Sequence, residues 1–145
     1  MREVRRSALV ALGPERAFAL IADVRRYPQF VPGCRTARIE SQSEHEIVAT
    51  LGVSRGPLRT EFTTRNSLEP FRYIGLELVD GPFRTLKGGW TISPVGTDGG
   101  RIELELRFEF RLALPSALLD PVFEGLAAAL VDAFVAESAR DRGTS

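Results

Sequence analysis

Large hydrophobic residues occupy every second position over residues 101–114. Ile102, Leu104, Leu106, Phe108, Phe110, Leu112 and Leu114 share one parity; Arg101, Glu103, Glu105, Arg107, Glu109 and Arg111 hold the other. Period two over that length predicts a long strand with one buried and one wet face. Such a strand belongs to an antiparallel sheet solvated on one side. Weaker alternation predicts strands over residues 4–12, 36–41, 46–53, 58–66, 71–79 and 83–93. Ile47, Ala49, Leu51 and Val53 are in phase, as are Leu58, Thr60, Phe62 and Thr64, and then Leu86, Gly88, Trp90 and Ile92. Gly56-Pro57, Glu69-Pro70 and Asp80-Gly81-Pro82 supply turns between them.

Two regions break this period. Pro14 suits the first turn of a helix, and residues 15–22 continue it with Ala17, Phe18, Leu20 and Ile21. Residues 23–31 read as a second short helical or turn segment, interrupted by Pro28 and Pro32. Residues 117–139 place Leu119, Val122, Phe123, Leu126, Leu130, Val131 and Phe134 at three- and four-residue steps, which predicts a long amphipathic helix. Residues 141–145 read as a polar tail. The order is strand, two short helices, six strands, long helix. It predicts an α+β fold in which a curved antiparallel sheet of about seven strands wraps the C-terminal helix, the one element long enough to cover it. The space between them is solid core or cavity. No linker divides the chain, so residues 1–145 are expected to form one domain.

Composition narrows the chemistry. The chain has 145 residues, 43% hydrophobic and 26% charged, with a net charge of zero. Cys34 and His45 are its one cysteine and one histidine, which excludes an intrachain disulfide and a zinc site made of Cys and His alone. A hydrolase triad would have to use His45, placed in a polar turn. No apolar run approaches the ~20 residues of a membrane span, and charges run through residues 1–12, so a cytoplasmic protein is expected. Residues 1–38 hold eight arginines against three acidic residues. That is a candidate basic face for RNA or anionic lipid; the use of Arg for 18 of the 19 basic residues suits phosphate but is also what high-GC coding bias gives. Nothing in the balance points to DNA.

Four motifs carry a family resemblance. Tyr27-Pro28-Gln29-Phe30-Val31-Pro32-Gly33-Cys34 resembles the Tyr-Pro-x-Phe-Leu-Pro-Trp-Cys stretch of the coenzyme Q-binding protein family, which also contains bacterial ribosome association toxins. The run Gly81-Pro82-Phe83-Arg84-Thr85-Leu86-Lys87-Gly88-Gly89-Trp90 resembles its Gly-Pro-Phe-x-x-Leu-x-Gly-x-Trp. Phe108-Glu109-Phe110 and Ala133-Phe134 resemble two shorter signatures. Gly33 stands where the family has Trp, Glu137-Ser138 where it tends to have Arg-Ala, and Arg142 where it tends to have Tyr.

The resemblance implies the helix-grip fold of the START-like superfamily of polyketide cyclases and lipid carriers. It implies a non-catalytic carrier of an isoprenoid quinone (ubiquinone-like) or similar hydrophobic ligand, supporting respiration, with no cofactor beyond that ligand and no metal. Phe62, Phe108, Phe110 and Phe123 are expected to face the interior. Trp90 either stacks on a flat ring or is plain core. Gly88 opens space beside it or permits tight packing. Leu126 and Leu130 supply the helix side, and Thr60 and Thr64 could offer hydroxyls. Arg84, in phase with Leu86 and Trp90, is expected to point inward. With Tyr73 it is the candidate proton donor if the protein is instead a cyclase-type enzyme. Arg25, Arg26, Tyr27, Phe30 and Pro32 form a candidate lid or partner surface, with both arginines exposed. The partners implied are the hydrophobic ligand, the large ribosomal subunit through Arg25, Arg26, Arg35 and Arg38, and a peripheral contact with the inner membrane.

Overall fold

The computed structural model describes residues 1–144, with side chains to Arg140. The polar tail expected over residues 141–145, and the departure at Arg142, therefore concern side chains outside the described residues. The backbone of the last helix continues to Thr144.

Strand β1 (Arg2–Val10) opens the chain, followed by helix α1 (Pro14–Ala22) with Pro14 in its first turn. A 3-10 turn, Val24–Arg26, leads into the single-turn helix α2 (Tyr27–Phe30). Six strands follow: β2 (Cys34–Gln42), β3 (Glu46–Arg55), β4 (Leu58–Glu69), β5 (Tyr73–Asp80), β6 (Phe83–Val95) and β7 (Gly99–Phe110). Helix α3 (Ser116–Thr144) ends the fold. The sheet has the order β1-β7-β6-β5-β4-β3-β2. Every neighbouring pair is antiparallel. Strands β2 to β7 form a meander, and β1 returns to pair with β7. Helix α3 packs mainly on β1 and touches β7 and β4 less extensively.

The alternation of β7 does what its sequence predicts. Ile102, Leu104, Phe108 and Phe110 are buried, while Glu105 and Arg107 meet Arg5 and Glu3 on the wet face. These exposed ion pairs contribute at most about 1 kcal/mol each; burial of the opposite face holds the strand in register. The strand stops at Phe110 rather than running to Leu114. Its partner β6 begins at Phe83, opposite Phe110, so the ladder ends there. Arg111 still donates its N–H to Pro82 O, then the chain turns, and Leu112 is 84% exposed. At the other correction, Phe71 does not start a strand. It sits in a turn at φ 68°, with its ring edge-on to Phe18.

A β-bulge decides the phase of β6. Phe83 pairs with Phe110 and Thr85 with Glu109, so the register shifts across Arg84. Phe83 and Leu86 are both buried as a result, and Arg84 is turned out. Gly88 is explained by backbone proximity: a Cβ there would lie 1.9 Å from Glu105 O. Its role in the structure is the close approach of β7.

Two aromatic groups fill the ends of the core. Phe62, Phe83, Phe108, Phe110 and Phe123 pack together, with Phe83 and Phe110 stacked at 4.7 Å. Tyr27, Phe30 and Trp90 all meet Phe134 of α3 edge-on or tilted at 5.2–5.7 Å. Truncating the most deeply buried ring of the first group, Phe108→Ala, is expected to cost about 3–5 kcal/mol in denaturant unfolding. Leu112→Ala, outside the ladder, should stay within about 0.5 kcal/mol of the parent.

Candidate functional site

Between the two aromatic groups lies a cavity of about 90 Å3. Phe62 and Phe123 bound it on one side, Tyr27 and Trp90 on the other, and Leu126, Ala127 and Leu130 form its α3 wall. The opposite wall comes from inward positions of β3 to β7, among them Ala49, Leu51, Val53, Leu76, Leu86 and Leu104. Leu51, Leu76 and Leu130 are only half-buried although they face inward. They mark where cover over the sheet is thinnest. An apolar cavity that holds benzene measures about 150 Å3, so a ring-sized guest requires these side chains to move.

Of the nine residues expected to bind ligand, Phe62, Trp90, Phe123, Leu126 and Leu130 line this cavity. Phe108 and Phe110 face inward as expected but are absorbed in the aromatic group beyond Phe123. Gly88 lies beside the wall rather than in it. Arg84 is a correction: its side chain is 62% exposed and its guanidinium is 3.8 Å from Glu109. Tyr73 is directed at the Gly88 carbonyl, 3.4 Å away, and is also absent from the cavity wall. Both candidate proton donors of an enzyme thus lie outside the cavity.

The segment after α1 forms one end of the site. Tyr27 is buried, donates its hydroxyl to Ile21 O, and lines the cavity together with Val24 and Val31. Burial pushes the Tyr27 phenol upward, with Cys34 and Asp23 adding to the effect. Phe30 is half-buried against Tyr27 and Phe134, while Arg25 and Pro32 are exposed. Arg26 is the second correction. It is half-buried, donates to Glu137 at 2.6 Å, and lies over the Phe30 ring at 5.7 Å. Glu137 is only 6% exposed and also meets Arg140 at 3.4 Å. The pair ties the covering segment to α3. Next to it, Ser138 accepts from the Ala11 N–H and donates to Val135 O. The Glu137-Ser138 departure therefore has a structural role here. Gly33 holds φ 88°, and a Cβ on it would lie 3.0 Å from Leu126, at the edge of the cavity.

The polar groups of the wall are few. Thr64 faces the cavity and donates to Asn66 Oδ1 at 2.7 Å; both are buried. Sequence reasoning passed over Asn66, although its parity follows Phe62 and Thr64. Cys34 also lines the cavity, with Sγ 3.7 Å from Thr36 O. Among the described residues no charged side chain lines the cavity, and no group of three or more His, Cys, Asp or Glu is placed to hold a metal. No described helix is long and apolar enough to cross a membrane.

A helix gripped by a curved antiparallel sheet around an apolar cavity defines a START-like protein. The family profile described as polyketide cyclase/dehydrase and lipid transport matches residues 10–135, and the chain belongs to that family. It is 42% identical over 134 residues to the ribosome association toxin RatA of Vibrio cholerae, covering 92% of this chain and 93% of that one. It is 27% identical over 146 residues to the mitochondrial coenzyme Q-binding protein COQ10 homolog B of Xenopus laevis, covering 97% of this chain and 59% of that protein. Among solved structures, the Zhui aromatase/cyclase from a Streptomyces species superposes with a TM-score of 0.87 at 21% identity, covering 96% of this chain and 94% of that one. That likeness is one of fold.

Burial pushes the Cys34 thiol up to about 11. The folded state therefore favours the neutral thiol. The resulting stability is full below the thiol's unfolded pKa and is lost as pH rises through about 11. At pH 8.5, alkylation of Cys34 in the native protein should be at least about tenfold slower than in the urea-unfolded chain, as read by mass spectrometry over time.

Proposed function

We propose that this protein is a non-catalytic binding protein whose cavity takes a neutral hydrophobic ligand of the isoprenoid quinone type. The observation that supports this most is the cavity wall: apolar and aromatic, with no charged side chain among the described residues. Burial supplies the affinity, at about 0.8 kcal/mol per methylene before ordering costs. The similarity to a coenzyme Q-binding protein favours a quinone among apolar ligands. Organic extraction of natively purified protein, followed by mass spectrometry, should yield a neutral isoprenoid lipid at close to one per chain. Ala127→Leu, which fills the wall, should lower that yield at least about fivefold while the circular dichroism spectrum is kept. An extract with no neutral lipid, together with no uptake of added short-chain ubiquinone, would refute the reading.

A second reading uses the outer surface, and the relatives at 42% identity bear on it more strongly than the quinone-binding relative at 27% bears on the first. In it the protein associates with the ribosome through basic side chains. Two of the four arginines expected there are engaged elsewhere, Arg26 by Glu137 and Arg38 by Glu40. Arg25 and Arg35 remain exposed, with no acidic partner among the described residues. Arg55 and Arg59, also exposed, flank the β3–β4 turn at the end of the sheet where β2 begins. Cosedimentation with the large ribosomal subunit should fall steeply with salt and weaken at least about tenfold in an Arg25→Glu/Arg35→Glu/Arg55→Glu variant. Binding unchanged by salt or by these substitutions would reject this surface. The cavity and the basic surface are different sites, so one protein can carry both functions.

A further inference from the structure

The cavity wall contains five side chains with a polar hydrogen: Tyr27, Cys34, Thr64, Asn66 and Trp90. Three have already committed it. The Tyr27 hydroxyl donates to Ile21 O, the Cys34 thiol to Thr36 O, and the Thr64 hydroxyl to Asn66 Oδ1. With its Oδ1 occupied by Thr64, the Asn66 amide is oriented, and its Nδ2 has no acceptor among the described residues. The Trp90 indole Nε1 has none either. Neither atom is sealed: Asp120 Oδ1 is the fully buried side-chain polar atom without a partner among the described residues. Asn66 and Trp90 both line the otherwise apolar cavity, so theirs are the two side-chain donors of its wall left without an acceptor among the described residues. They stand on β4 and β6, on either side of β5.

A donor left unmatched when the cavity fills with hydrocarbon costs free energy, whereas an acceptor on the guest removes that cost. An anionic guest would be buried without a cation among the lining side chains. We infer that the cavity selects a neutral, largely apolar molecule carrying an acceptor oxygen, such as a quinone, ketone or ester carbonyl, held by Asn66 Nδ2 with Trp90 Nε1 as the second donor. This deepens the carrier reading and rests on it.

Duroquinone and durene test the inference. They share four methyl groups and a six-membered ring, differ in the two carbonyls, and the fully substituted quinone does not add to a thiol at an open ring position. By isothermal titration calorimetry the protein should bind duroquinone about five- to tenfold more tightly than durene. Asn66→Leu, which keeps the branched outline and removes the donor, should reduce that preference to about twofold or less, and Trp90→Phe should reduce it by a smaller factor. In 15N-edited spectra of the unsubstituted protein, the single indole N–H signal and the Asn66 side-chain amide should move downfield with duroquinone and not with durene. This readout needs no variant to fold. If both compounds bind equally, or Asn66→Leu keeps the preference with unmoved donor signals, the anchor is wrong and the carrier reading stands. If neither compound nor short-chain ubiquinone binds, the carrier reading itself fails and takes the anchor with it.

Discussion

One geometric constraint governs this molecule: a single helix cannot cover a seven-stranded sheet. Seven strands at about 4.8 Å spacing span nearly 30 Å, while a helix with its side chains is about 10–12 Å across. Curvature narrows the difference without removing it. Helix α3 settles mainly on β1 and, less extensively, β7. Over β3 to β5 the inward residues Leu51, Leu76 and Leu78 keep partial exposure. The large rings of Phe62, Phe83, Phe123, Trp90 and Phe134 fill the two ends, and the space between them is the cavity. The site is thus a consequence of how the apolar face is covered, and its chemistry is that of the core around it.

The same constraint explains why the covering segment is tied down from a distance. Tyr27 and Val31 close one end of the cavity, but Tyr27 opens and Val31 caps a single-turn helix, too short to hold itself. Their position depends on the Tyr27 hydroxyl bond to Ile21, the aromatic contacts with Phe134 and the Arg26–Glu137 pair. The charge of Arg26 is used in fixing the cover. Arg25, Arg35, Arg55 and Arg59 are among the arginines with no acidic partner among the described residues, so cavity and basic surface draw on separate side chains.

Much of this was legible from parity alone. The period of β7 and the long C-terminal helix were readable because one buried face imposes one repeat, and the two short helical segments because prolines mark their limits. Phe62, Trp90, Phe123, Leu126 and Leu130 were placed in the interior by the same argument. Parity failed where the backbone broke it: the bulge at Arg84 turned an inward expectation outward, and the end of the β6–β7 ladder released Leu112. It also failed where the partner is far away in sequence. Nothing near Arg26 announces Glu137. Asn66 was within reach, since it continues the phase of Phe62 and Thr64, but its chemistry emerges only once Thr64 is seen to occupy its carbonyl oxygen. The family motifs indicated the fold; they could not say which side chains still have an unfilled donor.

The central claim is that the thinly covered part of the sheet is where a neutral apolar guest enters. Methyl-labelled leucine spectra recorded during titration with a short-chain ubiquinone test it directly. The account predicts saturable shifts at Leu51, Leu76 and Leu130, with Leu9 and Leu112 unmoved. No saturable shift at the three cavity leucines, or shifts confined to Leu112 and Leu118 on the outer surface, would contradict it.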